Sequence, residues 1–279
     1  MKPKTLKVSS ENQWFQRAEA LKRNRKKRQQ YRQFFVEGVQ SIDRLVSNDE
    51  WGIEAFLYST KRRPSNWAQG ILHGSRARWH LEVKDGLLEK LSDKEETSEI
   101  LAIAEMPTDD LQRIPVQKNA LILLIDRPQS PGNLGTLIRS CDALGAQGIV
   151  VTGHAADLYD SRTIRATAGS FFAIPAVRVF SHETLVSWLH NLRQKLAELQ
   201  IVGTSTHAQI HVSSCTFTRP TILIVGNESR GLSRWCLDLC DSLVGIPMAG
   251  TASSLNVACA ATAILYEVQR QRLGWKNEI

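Results

Sequence analysis

Residues 246–248 (IPM) lead out of a predicted strand, and after a polar loop residues 254–258 (SLNVA) open the last predicted helix. Residues 226–231 (GNESRG) precede them by a short predicted helix and strand. Far upstream, residues 133–135 (NLG) lead into a predicted helix that carries Arg139. We call residues 133–135 with Arg139 the first motif, residues 226–231 the second motif, and residues 246–248 with 254–258 the third motif. In parallel α/β sheets ligands bind beyond the carboxyl ends of strands, so the motifs are predicted to border a ligand site.

The second half of the chain alternates strands and helices in its hydrophobic pattern. The strands at 121–125 and 149–151 are continuous apolar runs, as expected where both faces of a strand are covered. Further strands are predicted at residues 174–179, 200–203, 221–225 and 243–246, and helices at residues 134–144, 183–199, 232–239 and 255–272. This alternation predicts an α/β fold with a mostly parallel sheet and helices on both faces.

The first third of the chain has the pattern of a smaller α/β unit. A charged helix is predicted over residues 11–30, with further helices at 39–46 and 87–91 and strands at 34–36, 53–58, 79–83 and 100–104. Residues 105–118 (EMPTDDLQRIPVQK) are polar, contain prolines and separate two periodic regions, which indicates a domain boundary. We therefore predict domains over residues 1–108 and 119–279.

Composition narrows the class of protein. The 279 residues are 42% hydrophobic, which is ordinary for a chain that buries a core. No apolar run approaches the roughly 20 residues that span a bilayer, and the basic N-terminus lacks the apolar core of a secretory signal, so we expect no membrane association. The five cysteines are scattered and odd in number, which argues against a disulfide framework and fits the cytoplasm. Cys236 and Cys240 have no second Cys/His pair at zinc-site spacing, so we expect no metal.

The net charge of +7 is concentrated near the N-terminus. Residues 22–32 contain no acid, and their cations are the candidate RNA contacts: Lys22, Arg23, Arg25, Lys26, Lys27, Arg28 and Arg32. Such a block repels itself unless it is solvated or faces an anion, and the block alone does not separate these alternatives. Further cations at residues 61–63, Arg76 and Arg78 favour nucleic acid, because lysine and arginine contacts to phosphate carry much of its affinity for proteins.

Polar residues of the second and third motifs are candidates for binding or catalysis. Gly226 and Gly231 let the backbone turn sharply and approach a ligand, and their spacing does not match a dinucleotide fingerprint. Glu228 between them orients a substrate, holds the fold by accepting backbone N–H bonds, or is an ordinary solvated loop residue. Ser254 is predicted to cap the last helix. Asn256 would then lie in the first turn, where helix propensity does not favour it, so it is the better functional candidate.

Arg139 lies among apolar residues of its predicted helix. Its neighbours Leu137, Ile138 and Leu144 predict a helix packed into the core, so the guanidinium must be exposed or paired. It either reaches solvent or an internal acid, or it binds a phosphate through its planar fork.

In order, spacing and strand context, the three motifs resemble those of the SpoU/TrmH family, S-adenosylmethionine-dependent RNA 2′-O-ribose methyltransferases of the SPOUT class. The resemblance covers about residues 119–270. The first third resembles the family's L30e-like substrate-binding domain in its basic helix, in residues 35–38 (FVEG) and in the segment 91–104. The resemblance implies a homodimer and a trefoil knot in the catalytic domain. The pattern alone predicts an unknotted sheet, since knots are essentially absent from protein topologies.

The resemblance also implies roles for individual residues. It places contacts to S-adenosylmethionine at Gly203, Thr204, Gly226, Ile246, Met248 and Leu255. It places Arg139 at the reacting ribose, with Asn133, Glu228, Ser254 and Asn256 positioning the substrate and shaping the loops. Because arginine is always protonated in proteins, we expect Arg139 to bind the target phosphate and favour the developing alkoxide rather than act as a simple base.

The expected function is methyl transfer from S-adenosylmethionine to a ribose 2′-hydroxyl in RNA, and the substrate-binding domain favours 23S ribosomal RNA over tRNA. Two alternatives stay open: a non-catalytic RNA-binding or ribosome-associated protein that kept the fold, and a base-directed SPOUT methyltransferase. The intact motif residues argue against the first, and the Ser-Leu-Asn form of the third motif favours ribose. The sequence does not identify the methylated nucleotide.

Overall fold

The computed structural model of the protein describes residues 3–74, 76–93 and 96–274. The chain folds into two compact units. The first unit combines Met1–Thr108 with Asp157–Ala173, and the second combines Asp109–Ala156 with Ile174–Ile279. The sequence analysis assigned residues 157–173 to the second domain, whereas the structure places them in the first unit. The outer ends of the predicted domains, residues 1–2 and 275–279, lie outside the described residues.

Aromatic packing explains why residues 157–173 belong to the first unit. The Phe34 ring centroid lies 5.0 Å from that of Tyr159, 5.9 Å from that of Phe171 and 6.2 Å from that of Phe172. The Trp51 ring lies 5.0 Å from that of Phe172. All five rings are buried. Since each aromatic ring buries about 150–250 Å², the segment cannot leave the unit without exposing a large apolar surface.

The first unit is built on a five-stranded sheet of order β1-β4-β3-β5-β2. Strands β1, β4 and β3 are parallel, and β5 is antiparallel to both β3 and β2. Its elements up to residue 108 are β1 Lys4–Val8, α1 Gln13–Arg23, α2 Arg25–Tyr31, β2 Gln33–Glu37, α3 Val39–Ser47, β3 Ile53–Ser59, α4 Asn66–His73, β4 Trp79–Val83, α5 Asp85–Leu91 and β5 Ile100–Glu105.

The helix predicted over residues 11–30 is broken in the structure. Asn24 has an extended backbone conformation, which ends α1, and its Oδ1 accepts a hydrogen bond from the Lys27 N–H, which caps α2. Asparagine favours such caps because its side chain satisfies the free N–H groups of a first helical turn. The sequence analysis also missed β1, an edge strand in which only Val8 is buried, and α4.

The second unit is built on a seven-stranded sheet of order β10-β12-β9-β11-β6-β7-β8. All of its strand pairs are parallel, which confirms the predicted mostly parallel α/β sheet. The remaining elements in chain order are β6 Leu121–Asp126, α6 Pro131–Ala143, β7 Gly148–Thr152, α7 Ser161–Ala166 (in the first unit), β8 Ala176–Val179, α8 His182–Lys195, β9 Gln200–Thr204, β10 Ile210–His211, β11 Thr221–Val225, α9 Arg234–Leu239, β12 Ser242–Gly245 and α10 Val257–Arg272.

Both faces of the central strands are covered. Ile122 and Leu124 of β6 belong to one core cluster with Leu189 of α8. Leu121 and Leu123 alternate with them along β6, point to the opposite face and are also fully buried. The trefoil knot implied by the resemblance stays a prediction. Among the described residues, no helix is long and apolar enough to cross a membrane.

Candidate active site

A cavity of about 480 Å³ opens where β9, β11 and β12 end. Five of the predicted cofactor contacts line it: Thr204, Gly226, Ile246, Met248 and Leu255. Ser254 and Glu228 also border the cavity. Gly203 is absent from the lining and lies against packed side chains, where a Cβ would be 2.6 Å from Cys240 Sγ. The second and third motifs are thus brought to one edge of the sheet, with Gly203 supporting the wall rather than forming it.

The second motif is a tight loop closed by its own backbone. The N–H of Asn227 donates to the Gly231 oxygen (3.0 Å), and the N–H of Gly231 donates to the Asn227 oxygen (2.9 Å). The Asn227 Oδ1 accepts from the N–H groups of Ser229 and Arg230, at 3.0 and 3.1 Å. Gly231 has a φ of +63°, a conformation that other residues rarely adopt. The sequence analysis did not single out Asn227, although its buried amide holds the loop in shape.

A chain of side-chain hydrogen bonds joins all three motifs. Asn133 Nδ2 donates to Glu228 Oε1 (3.1 Å), and Asn256 Nδ2 donates to Asn133 Oδ1 (3.1 Å). Asn256 Oδ1 in turn accepts from the N–H groups of Ala258 (2.8 Å) and Cys259 (3.4 Å) at the start of α10. The orientation of each amide follows from its partners. Asn256 must turn its oxygen toward the backbone N–H groups of α10, and Asn133 must turn its NH₂ group toward the Glu228 carboxylate.

Glu228 also fastens the second motif to the chain before α6. Its carboxylate accepts from the N–H groups of Gln129 (3.1 Å) and Ser130 (3.2 Å) as well as from Asn133. Burial raises the pKa of Glu228, but the hydrogen bonds from Asn133 and from backbone N–H groups outweigh burial and hold the pKa below its ordinary value. Glu228 is therefore a carboxylate at neutral pH and is suited to orient Asn133, not to take up a proton.

Two helix starts differ from the sequence prediction. Asn256, not Ser254, is the N-cap of α10, and Ser254 is an exposed residue on the cavity wall. Helix α6 begins at Pro131 with Ser130 as its cap, so Asn133 lies in the first turn rather than in the preceding loop. Proline suits a first helical position because it needs no N–H partner there. Serine and asparagine both favour N-caps, so the residue types alone did not show which residue has the non-helical backbone conformation of the cap.

Arg139 lies on the exposed side of α6, next to the buried Leu137 and Ile138. Within residues 3–74, 76–93 and 96–274 its guanidinium forms no hydrogen bond or ion pair. The sequence analysis considered an internal acid as a partner of Arg139, but no acid among the described residues pairs with it. Arg139 does not line the 480 Å³ cavity, and its planar fork is accessible to an anionic ligand.

An acid that the sequence analysis missed helps to hold the loop of the second motif. Asp126, the buried last residue of β6, accepts from Arg127 Nε (3.0 Å) and from the Ser233 N–H (2.7 Å). Arg127 has a φ of +55° and also donates to the Gly231 oxygen (3.3 Å). Burial raises the pKa of Asp126, but the hydrogen bonds from Arg127 and Ser233 outweigh burial and hold the pKa below its ordinary value. A charged residue directly after an apolar strand was the available signal.

We expect Asp126→Asn to lower the free energy of unfolding at pH 7 by about 1.5–3 kcal/mol, the range for hydrogen bonds to a charged group. Because the folded pKa lies below the unfolded value of about 3.9, this stabilisation is fully present above about pH 5 and is lost as the pH falls through the folded pKa. Urea unfolding of both proteins between pH 7 and 3 measures the difference, with the exposed Asp238→Asn as control. A difference that does not shrink below pH 5 would contradict the assignment.

The basic block of the first unit divides into buried and exposed members. Arg28 is 1% exposed, and its guanidinium pairs with Asp157 (2.8 Å) and Asp160 (3.5 Å). Lys22 is also buried, and its Nζ pairs with Asp93 (2.7 Å). The prediction that Lys22 and Arg28 bind RNA is wrong, because both side chains form ion pairs inside the first unit with acids that are distant in sequence.

The other cations of the block keep surface positions. Arg23, Lys26 and Arg32 are exposed, and Arg25 and Lys27 are half-buried. Arg32 donates to the Pro107 oxygen (2.6 Å) while remaining on the surface. Among the described residues, no group of His, Cys, Asp and Glu side chains is arranged to hold a metal ion.

Comparisons with known proteins agree with this arrangement. Residues 120–266 match the profile of the SpoU rRNA Methylase family, and residues 12–102 match that of the SpoU L30e-like domain. The chain is 45% identical over 275 residues to the 23S rRNA (uridine(2479)-2′-O)-methyltransferase of Streptomyces viridochromogenes, covering 99% of this chain and 96% of that protein. It is 29% identical over 245 residues to the 23S rRNA (guanosine(2553)-2′-O)-methyltransferase RlmP of Bacillus subtilis, covering 88% and 92%.

Solved structures cover both units as well. The SpoU methyltransferase AviRb from Streptomyces viridochromogenes, in complex with the cofactor AdoMet, matches with a TM-score of 0.89 and 46% identity over 94% of this chain and 98% of that one. An AdoMet-bound rRNA methyltransferase from Sinorhizobium meliloti matches with a TM-score of 0.84 and 30% identity over 95% and 98%. The profile match and the near full-length relative show that the chain belongs to the SpoU rRNA methylase family.

Proposed function

We propose that this S-adenosylmethionine-dependent RNA 2′-O-methyltransferase acts on 23S ribosomal RNA. The observation that carries the proposal is the likeness over both units: two relatives that align with most of this chain are both named as 23S rRNA 2′-O-methyltransferases. The exposed cations Arg23, Lys26 and Arg32 support an RNA partner, since such side chains contact phosphate.

The 480 Å³ cavity is the proposed place of the cofactor. Its volume falls within the range of about 300–1,000 Å³ of small-molecule sites. The wall combines apolar residues such as Ile246, Met248 and Leu255 with the backbone of Gly226. Such a mixed wall suits the polar nucleoside and the aliphatic methionine chain of S-adenosylmethionine. The bound cofactor supplies an electrophilic methyl group on a sulfonium.

The residues of this chain then position the acceptor. Methyl transfer needs the ribose 2′-oxygen in line with the carbon–sulfur bond, and such positioning supplies a large share of the rate enhancement. Arg139 is proposed to bind the target phosphate and favour the developing alkoxide as the hydroxyl proton passes to solvent water. The Glu228–Asn133–Asn256 chain keeps the three motifs in register, and Ser254 lies on the cavity wall to contact the substrate.

The proposal includes a cytoplasmic homodimer. Support comes from large apolar side chains on and after α10, where Tyr266 is 51% exposed and Leu273 is 58% exposed. A second copy of the chain would cover this surface.

Methyl transfer from labelled S-adenosylmethionine to RNA lacking the modification, followed by digestion and mass spectrometry of nucleosides, tests the function. A 2′-O-methylated nucleoside in the 23S fraction is the expected product. A base-methylated product would overturn the ribose assignment, and a product confined to tRNA would overturn the substrate. Cofactor binding without transfer to any RNA fraction would favour a non-catalytic RNA-binding protein.

Gly226→Ala is expected to weaken binding of S-adenosylmethionine by about five- to hundredfold. A Cβ at this position would lie 2.3 Å from the Gly231 carbonyl carbon and 2.4 Å from the Leu232 nitrogen, so backbone of the second motif would have to move. Overpacking of this kind costs about 1–3 kcal/mol. Isothermal titration calorimetry measures the loss. Gly250→Ala, whose Cβ meets nothing within 4 Å, is the matched control in the loop that joins the two parts of the third motif; equal affinity of the two variants would refute the prediction.

A further inference from the structure

Helices α1 and α2 border a cleft of about 360 Å³ in the first unit, separate from the 480 Å³ cavity. Its lining includes Trp14 and Arg17 from α1 and Lys27 and Tyr31 from α2. The break at Asn24 creates this arrangement, because it ends one helix and starts the next within a single residue. A continuous helix over residues 11–30 would have no such cleft.

Arg17 holds the two rings of the cleft in place. Its guanidinium carbon lies 5.1 Å from the Trp14 ring centroid and 5.0 Å from that of Tyr31, within cation–π distance of both. On its far side the guanidinium donates to Gln33 Oε1 (2.5 Å) and lies 3.8 Å from Glu54 Oε1. These contacts fix the guanidinium before any ligand arrives, so little conformational entropy is lost on binding.

The cleft also presents charge and hydrogen-bonding groups at its edge. Lys27 Nζ lies 5.9 Å from the Tyr31 ring centroid, and the side chains of Gln13 and Gln16 border the opening. Tyr31 is 40% exposed, so its ring is accessible to a ligand. The acids nearby are already engaged: Glu54 faces Arg17, and Glu19 pairs with Arg23 at 3.7 Å.

This combination of groups is the chemistry that recognises an unpaired nucleotide. Splayed-out RNA bases stack on aromatic rings and on arginine planes, while amide side chains reach their edges. Lysine at the rim neutralises the phosphate that follows the base. An apolar peptide side chain would use the rings but leave the cations desolvated, whereas a nucleotide uses both.

We propose that the cleft binds an unpaired nucleobase of the RNA substrate, with Tyr31 and Trp14 as stacking surfaces and Lys27 contacting the adjoining phosphate. This inference rests on the proposed function, because it presumes an RNA substrate. The first unit then selects unpaired nucleotides by stacking as well as attracting RNA by charge. Arg17 acts as a positioning residue that orients both rings.

Binding of two labelled probes to the full-length protein tests the cleft by fluorescence anisotropy. One probe is octauridylate, and the other is an abasic ribose-phosphate octamer of equal length and charge. We expect the wild type to prefer octauridylate. Tyr31→Ala should weaken octauridylate binding by about five- to hundredfold, the range for loss of one base stack, and leave abasic binding unchanged. Tyr31→Phe keeps the ring and should bind as wild type, as should the control Phe180→Ala, which removes an exposed ring of the second unit.

Methyl transfer to 23S rRNA separates this inference from the proposed function. Tyr31→Ala should raise KM for the RNA and leave both kcat and the Kd of S-adenosylmethionine unchanged. Equal affinity of wild type and Tyr31→Ala for octauridylate, with wild-type methyl transfer intact, would overturn the cleft and leave the function standing. Absence of wild-type transfer to any RNA would overturn both.

Photo-cross-linking of the wild type to octa(4-thiouridylate) makes the test independent of any variant. Cross-links mapped by mass spectrometry to residues 13–31 are the expected result. Cross-links confined to other parts of the chain would overturn the proposal.

Discussion

Arg139→Lys is expected to fold and bind S-adenosylmethionine like the wild type and to lose about 100- to 1,000-fold in kcat, the cost of removing one preorganised charge-stabilising donor. Lysine keeps the positive charge but replaces the planar fork by a mobile ammonium, which cannot make the same bidentate contact with a phosphate. Arg139 is exposed and forms no ion pair among the described residues, so the substitution removes no structural contact there.

Steady-state methyl transfer with purified RNA measures this loss, and calorimetry with S-adenosylmethionine checks the cofactor site. Arg234→Lys is the matched control, because the Arg234 side chain is 89% exposed and its one ion pair among the described residues is with Asp238 on its own helix. Full activity of Arg139→Lys would remove Arg139 from the chemistry. An equal loss in both variants would point to a general effect of replacing arginine.

Arg28→Met is expected to lower the free energy of unfolding by about 3–5 kcal/mol, the usual cost of breaking a buried ion pair from one side. The substitution preserves much of the side-chain volume but removes the cation beside Asp157 and Asp160. It also removes the donor to the Leu21 and Lys22 oxygens, at 2.9 and 3.1 Å, which satisfies the end of α1. Chemical denaturation followed by fluorescence measures the change.

Lys26→Met on the same helix is the matched control for Arg28→Met, because Lys26 is exposed. It should change stability by less than about 0.5 kcal/mol and instead weaken RNA binding with a shallower salt dependence. Opposite behaviour, with Lys26→Met unfolding and Arg28→Met losing only RNA affinity, would reverse the assignment of the two cations.

The local hydrophobic pattern was sufficient to predict the sheet that holds the candidate site. The apolar runs at 121–125 and 221–225 predicted β6 and β11 well, because strands buried on both faces leave a continuous hydrophobic signal. The same pattern could not predict that Lys22 and Arg28 are buried. Their acidic partners Asp93 and Asp157 are distant in sequence, so only tertiary structure reveals the pairs.

In the candidate site, too, the sequence pattern predicted some features but not those that depend on the folded structure. The motifs predicted which residues gather at the sheet edge, since Asn133, Glu228 and Asn256 form one hydrogen-bonded chain. Sequence spacing did not show that Asn256 both caps α10 and donates to Asn133, because a cap depends on backbone conformation and not on residue type alone. Asp126 was missed because a single acid after a strand is a common pattern.

The aromatic segment 157–173 has a consequence for synthesis of the chain. Phe34 and Trp51 leave the ribosome long before Phe171 and Phe172, and the strands β6 and β7 of the other unit are made in between. The first unit therefore cannot complete its core before translation of the second is under way, unlike chains whose domains fold strictly one after another. A nascent chain paused near residue 108 would present an unfinished apolar surface, the kind of surface that chaperones bind.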